Sequence, residues 1–446
     1  MKKILVVIAV ILCANTSHAQ FNILDRAKQK AKDKVNQKVD QKLDKAIGSA
    51  VDSVDNTVSG KKKDNSSKPV KPDDANANKG NGDNDVPANN KTAALSLKSY
   101  SKFDFVPGEK IIAAEDFNQD AVGDFPAKWN TNGSGEIVTT NKAPGKYLMT
   151  LKGVVFYPEW IKDLPDNFTL EFDLICTDKF SFYSGFFKTG FTSFTNIGSD
   201  FRKFGTFGEG RTADGGGFEV GFHPENAGGN QGMTLFYSTN NEQDVIKNQA
   251  DQDKFIHGEK TMVHISVWRQ KSRVRVYMDD KKVWDLPKAV ADGIKLNSLY
   301  FRNDGSGNDN DAFYLGNIRL AVGAPDTRNK LITEGKFVTH GILFDVNSDK
   351  IKPESYGALK DIAAVLSENA AVKVKIVGHT DSDGDAAANM ALSKRRAEAV
   401  KNALSKDFAI DASRMETDGK GESQPVDNNT TPVGKANNRR VEFIKL

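Results

Sequence analysis

The stretch Gly378-His379-Thr380-Asp381-Ser382-Asp383-Gly384 constrains this chain most, because it joins two runs of different period. Residues 372–377 alternate as a strand does, and residues 391–404 carry Leu392, Val400, Ala403 and Leu404 at helical spacing. Asp381 therefore falls on a strand-to-helix loop. Residues three, four and seven apart share one side of a helix, which gathers Asn389, Ser393 and Arg396 at one end. A carboxylate on the loop and a guanidinium in the helix's second turn then face one small space. The pair suits a zwitterion: Asp381 accepts an ammonium, and Arg396 grips a carboxylate with two parallel donors. Each such contact contributes about 1.5–3 kcal/mol where water is partly excluded. The same residues also allow a plainer arrangement, in which Asp381 caps the loop or helix and Arg396 pairs with it as a structural salt bridge.

Further motifs flank this stretch in order. Leu343-Phe344-Asp345-Val346-Asn347 and Ile351-Lys352-Pro353 precede it. Thr380-Asp381 with Gly384, Asn389 with Leu392-Ser393 and Arg396-Ala397, and Asn438-Arg439-Arg440-Val441-Glu442 complete the set. Together they resemble the OmpA-like peptidoglycan-binding domain over roughly the last quarter of the chain. The resemblance implies that Asp381 and Arg396 hold the amino and carboxylate groups of a diaminopimelate side chain in the peptidoglycan stem peptide. It implies supporting polar contacts from Asn347, Asn389 and Arg439. Around these motifs the pattern predicts a strand at 336–344, a helix at 353–366 with Pro353 in its first turn, a strand from 414 and a last strand at 438–445. The expected fold is a two-layer α/β domain of β-α-β-α-β order. Asp381, Asp383 and Asp385 do not make a calcium loop, because Gly384 and Leu392 stand at the wrong places for one.

Residues 111–322 are a different material, with short alternating runs between Gly, Asn and Asp clusters and almost no helical period. Runs at 147–156, 168–175, 218–222, 234–237, 262–268, 274–278, 298–301 and 313–321 predict an antiparallel β-sandwich. Turns fall at Gln270-Lys271-Ser272 and Asp279-Asp280-Lys281. Residues 168–174 and Val274-Arg275-Val276-Tyr277 resemble, more loosely, the concanavalin-A-like (LamG-type) jelly roll, a fold that hosts glycan binders and glycosidases. A retaining glycosidase of that kind places carboxylates on alternate residues of one strand. Glu171 and Asp173 fill two such positions, but Ile175 and Cys176 stand where the third acid belongs, so the pair reads as the polar face of an amphipathic strand. Trp160, Trp268 and Trp284 are candidates for stacking on sugar, with core packing as the commoner use. The acidic loop 304–311 reads as a surface loop, and His223 with Glu225 are too few for a metal site. A membrane β-barrel is the rival architecture, although most runs are shorter than the roughly nine to eleven residues a spanning strand needs.

Met1-Lys2-Lys3, an apolar run of about ten residues and Ser17-His18-Ala19 read as a signal peptide cleaved after Ala19. Leu12 ahead of Cys13 departs from a lipidation motif, and Cys176 is the one other cysteine, which precludes a disulfide framework. Residues 20–58 predict a Lys-rich helix whose apolar positions recur mostly every four residues. That spacing fits a solvated spacer, or a basic helix on an anionic membrane or a partner helix. Residues 59–93, rich in Lys, Asp, Asn, Gly, Ser and Pro, are a disordered linker reaching about 30 Å as a coil.

The expected organisation is thus signal peptide 1–19, helix 20–58, linker 59–93, β-sandwich 94–323 and OmpA-like domain 324–446. A net charge of +3 over 446 residues gives no nucleic-acid signal. No nucleophile–base pair or metal cluster is legible, so neither enzymatic turnover nor a cofactor is expected. The N-terminal pattern and the resemblance together imply an exported protein of the outer membrane or periplasm that anchors to diaminopimelate-type peptidoglycan and presents a glycan- or protein-binding sandwich. The alternatives are a glycan-processing enzyme acting through the sandwich, or an outer-membrane β-barrel.

Overall fold

The computed structural model describes residues 103–194, 216–240, 243–305, 307–323 and 326–446. The expected signal peptide, Lys-rich helix and linker lie outside the described residues.

Among the described residues, fifteen antiparallel strands of the middle region form two open sheets rather than a closed barrel. One sheet runs Lys281–Leu286, Arg273–Met278, Met262–Gln270, Asn167–Cys176, Phe313–Val322, Lys146–Thr150 and Gly135–Thr139, with Lys110–Glu115 also paired to Phe313–Val322. The other runs Gln243–Gln252, Gly232–Asn240, Gly217–His223, Phe187–Thr192, Ser298–Asn303, Val154–Pro158 and Trp129–Thr131. Each run of alternating residues named above falls within a strand, except 147–156, which breaks into two at the turn 151–153. Both expected turns are present, with Lys271 and Asp279 in the left-handed region at φ 55° and 48°.

A core of phenylalanines fills the space between the sheets. Phe191 stacks on Phe218 at 4.7 Å and tilts against Phe168 at 5.0 Å, while Phe172 meets Phe301 edge-on at 5.4 Å. Each fully buried ring stabilises the sandwich by roughly 1.5–3 kcal/mol through area removed from water. The tryptophans join this packing. Trp284 is buried and donates to Thr234 Oγ1 at 3.0 Å, and Trp160 packs edge-on against Trp129. Trp268 lies under Arg275, whose guanidinium carbon is 4.8 Å from the ring centre. Cys176 is a buried core residue, and burial pushes its thiol pKa far up.

The C-terminal domain has its own core, including Leu359, Ile362, Val400, Leu404, Ile376 and Phe443. Its sheet runs Lys336–Thr339, Val441–Lys445, Val374–His379 and Met415–Gly421, and only the last pair is parallel. Helices α1 (Tyr356–Glu368) and α2 (Ala386–Phe408) supply the second layer. A third short helix, α3 (Pro432–Asn438), precedes the last strand, so the order is longer than the five-element expectation. Asn438 and Arg439 accordingly sit at the end of that helix and not in the strand. Helix α2 also starts five residues before the expected Ala391, because Asp385 caps it by accepting from Ala388 N at 2.9 Å.

The sandwich and this domain are packed together. Phe103 and Phe105 are buried against Tyr277, and a Cβ added at Gly357, in the first turn of α1, would stand 2.0 Å from the Phe105 carbonyl oxygen. Asn437 grips the backbone of Ile111 twice: Oδ1 accepts from the Ile111 N–H at 3.3 Å, and Nδ2 donates to its carbonyl at 3.2 Å. Lys330 pairs with Glu109 at 2.5 Å across the same seam.

Candidate functional site

Strand Val374–His379 ends beneath helix α2, and the two lie unusually close. A Cβ at Gly378 would come within 2.2 Å of the Ser393 carbonyl oxygen, and one at Gly419 within 2.5 Å of Lys394 N. Ser393 Oγ accepts from Gly421 N at 2.8 Å and donates to the Met390 carbonyl. Beyond the strand, the Thr380 N–H donates to the Gly421 carbonyl at 2.9 Å. The loop carrying Asp381 is thus tied to the helix and to the neighbouring strand.

Asp381 is buried, and its carboxylate receives the Arg439 guanidinium and the Asp383 N–H. The plainer arrangement considered above, an Asp381–Arg396 salt bridge, is therefore replaced by a pairing with Arg439, 58 positions away. Arg396 stands in the third turn of α2, not the second, because the helix begins early. Its Nε donates to the Ser348 carbonyl at 2.9 Å, and its guanidinium carbon lies 4.9 Å from the Phe344 ring centre. Among the described residues no carboxylate lies within ion-pair distance of it. Burial lowers its pKa, while nearby Asp381 favours the charged form. Asn389 is buried and spans the loop, donating to the carbonyls of Asp383 at 3.0 Å and Asp381 at 3.4 Å and to Glu422 Oε2 at 2.7 Å. Asn347 is exposed at φ 54°, one residue before Ser348, so it shapes the turn that presents the Ser348 carbonyl to Arg396.

Arg396, Arg439 and His379 line a cavity of about 150 Å³ whose far wall includes Arg319 of the sandwich. His379 is buried, and neither ring nitrogen makes a hydrogen bond; Nε2 stands 3.6 Å from Glu442 Oε1. Phe344, Ser348 and the sandwich wall escaped the sequence reading. Phe344 lay within a family motif, which was the available signal, whereas nothing local pointed to Arg319.

Glu171 and Asp173 do not form a solvated polar face. Both are buried at the seam with the C-terminal domain and are committed to other side chains. Glu171 receives Arg319 through both carboxylate oxygens at 2.7 Å and lies 3.4 Å from His264 Nε2. Asp173 lies 2.7 Å from His264 Nδ1 and accepts from Asn317 Nδ2 at 2.7 Å. Arg319 also donates to the His340 carbonyl at 3.0 Å. Burial alone would lower the His264 pKa and raise both carboxyl values. The charges outweigh it, raising His264 to about 10 and lowering Glu171 and Asp173. The acids of loop 304–311 are spent similarly: Asp304 pairs with Lys188 at 2.9 Å, Asp309 with Lys152, and Asp311 with Ser184. His223 is held between the carbonyls of Ser184 and Glu225 at 3.0 and 2.6 Å.

Residues 343–439 match the OmpA family. The outer membrane porin F of Pseudomonas fluorescens is 46% identical over 101 residues, 23% of this chain and 31% of that protein. The YfiB lipoprotein of Escherichia coli (strain K12) is 35% identical over 107 residues, 24% of this chain and 67% of that protein. The crystal structure of the peptidoglycan-associated lipoprotein from Burkholderia pseudomallei is 27% identical, with 27% of this chain covering 100% of that one at a TM-score of 0.24. This chain thus spans about a third of the length of the porin F relative.

Proposed function

This chain belongs to the OmpA family through its C-terminal quarter, and from that premise we propose that it is a non-enzymatic cell-envelope protein that anchors to peptidoglycan. In this reading Asp381 and Arg396 clamp the zwitterionic end of a diaminopimelate residue in the stem peptide. The observation that carries it is the state of Arg396: a partly buried guanidinium held in place by backbone carbonyls, with no carboxylate partner among the described residues. A ligand carboxylate supplies that partner. Asp381 is paired with Arg439 and meets the ligand ammonium beside it. Asn389 holds the loop in shape, and Asn347 sets the turn that orients Arg396. Relatives named as outer membrane and peptidoglycan-associated proteins agree with this role and with an envelope location.

Under the same proposal the signal peptide is removed after Ala19, and the helix 20–58 and linker 59–93 connect the anchor to the outer membrane or a partner. The sandwich, 94–323, is a jelly-roll module that presents a glycan- or protein-binding surface, and 324–446 is the anchor. An enzymatic role for Glu171 and Asp173 is disfavoured by their engagement with Arg319 and His264. Calorimetric titration of the protein with meso-diaminopimelate tests the clamp. Binding is expected in the parent, with Asp381→Asn and Arg396→Ala each weaker by about tenfold or more, the loss of one charge-assisted contact. Equal affinity in parent and folded variants contradicts it.

A further inference from the structure

The cavity beside Arg396 does not end at the C-terminal domain. A second cavity of about 230 Å³ adjoins it and shares Arg319, Phe344 and Arg439 with it. Together they form one cleft along the seam, floored by the C-terminal domain and walled by the sandwich. The wall of Glu171, Asp173, His264 and Arg319 is internally neutralised, as described above. Three other charged groups facing the cleft make no ion pair among the described residues, although Lys352 adds to the field that lowers the Asp173 carboxyl pKa. Glu115 is nine-tenths buried at 9% exposure, Asp116 is half-buried beside it, and Lys352 lines the same cavity. Glu115 accepts the Phe117 N–H at 2.9 Å with the Trp129 side chain beside it, and Asp116 accepts the Asn118 N–H at 3.1 Å. Among the described residues none of the three has an ion-pair partner within 4 Å. Burial, and then Asp120 and Asp116, push the Glu115 carboxyl pKa up, so a donor arriving there relieves an existing electrostatic cost. At the other end of the cleft, His379 is 3% exposed, with Glu442 Oε1 3.6 Å from its Nε2.

We infer that the sandwich builds a second subsite onto the wall-binding site, in which Glu115 and Asp116 receive the ammonium or amide N–H groups of the stem peptide and Lys352 receives its free carboxylate. The inference rests on the reading of Asp381 and Arg396 given above, and extends it from one residue to a peptide. A γ-linked glutamyl residue next to diaminopimelate presents the α-carboxylate that Lys352 suits, and the residue before it presents the N–H groups. The sandwich is then part of the recognition surface and not only its cargo.

The experiment is a pair of titrations of the full protein, with free meso-diaminopimelate and with the tripeptide L-Ala-γ-D-Glu-meso-diaminopimelate. The parent is expected to bind the tripeptide about tenfold more tightly, the return from one or two further charge-assisted contacts. The Glu115→Gln/Asp116→Asn double variant keeps the shape and the backbone contacts. It should lose most of that preference while binding diaminopimelate as the parent does. If the double variant fails to fold, Asp116→Asn alone, at the half-exposed position, carries the same expectation with a smaller loss. A folded variant that retains the full tripeptide preference overturns the second subsite and leaves the clamp intact. A parent that binds neither ligand overturns both.

Discussion

Arg319→Met is expected to destabilise the protein by about 3–5 kcal/mol, the cost of removing one partner from a buried ion pair. Glu171 is 3% exposed at its side chain and receives both of its short contacts from Arg319. Without that guanidinium, its nearest cation is His264 at 3.4 Å, which is also shared with Asp173. The same substitution removes the hydrogen bond to the His340 carbonyl, which crosses from the sandwich to the C-terminal domain. Thermal unfolding measures the effect, and Arg273→Met is the control. Arg273 holds Asp285 at 2.7 Å in equally good geometry, but both side chains are 30% exposed or more. Its loss is expected to cost less than about 1 kcal/mol. Similar losses in the two variants would show that the seam is not a buried electrostatic contact.

The second large effect is on pH dependence. His264 has a folded pKa of about 10 against an ordinary 6.5. A raised cationic pKa contributes stability that is complete below pH 6.5 and is lost as pH rises through 10. Over that window the contribution is on the order of 5 kcal/mol. Glu171 and Asp173, with lowered values, act in the opposite window: their contribution is present above the ordinary carboxylate range and is lost as pH falls below it. The parent's Tm should therefore fall between pH 7 and pH 10, with deprotonation leaving two facing buried carboxylates beside a neutral imidazole. His264→Gln should be less stable at pH 7 and nearly flat over the same range. A parent whose Tm is unchanged from pH 7 to pH 10 would mean that His264 is neutral in the folded protein.

Much of this architecture was legible because local period carried it. The strands of the middle region announced themselves by alternation and by Gly and Asn turns. Strand Val374–His379 and helix α2 were fixed by the change of period at Gly378. What was not legible depends on contacts distant in sequence. The partner of Asp381 is Arg439, and nothing near either residue specifies that pairing; it follows from α3 bringing its end to the loop. Glu171 and Asp173 looked like a solvated face because alternation alone cannot reveal that a second domain covers a sheet. Their partner His264 arrives from the neighbouring strand, where it pairs in register with Asp173. The early start of α2 was missed because Ala386, Ala387 and Ala388 carry no periodic apolar signal, although Asp385 before them is an ordinary capping residue.

The most direct test of the anchoring reading is co-sedimentation of the purified full protein with diaminopimelate-type peptidoglycan sacculi, with Asp381→Ala and Arg396→Ala alongside. The account predicts that the parent pellets with the sacculi and that each folded variant is retained about tenfold more weakly or worse. A folded parent that stays in the supernatant, or folded variants that pellet as the parent does, would contradict it.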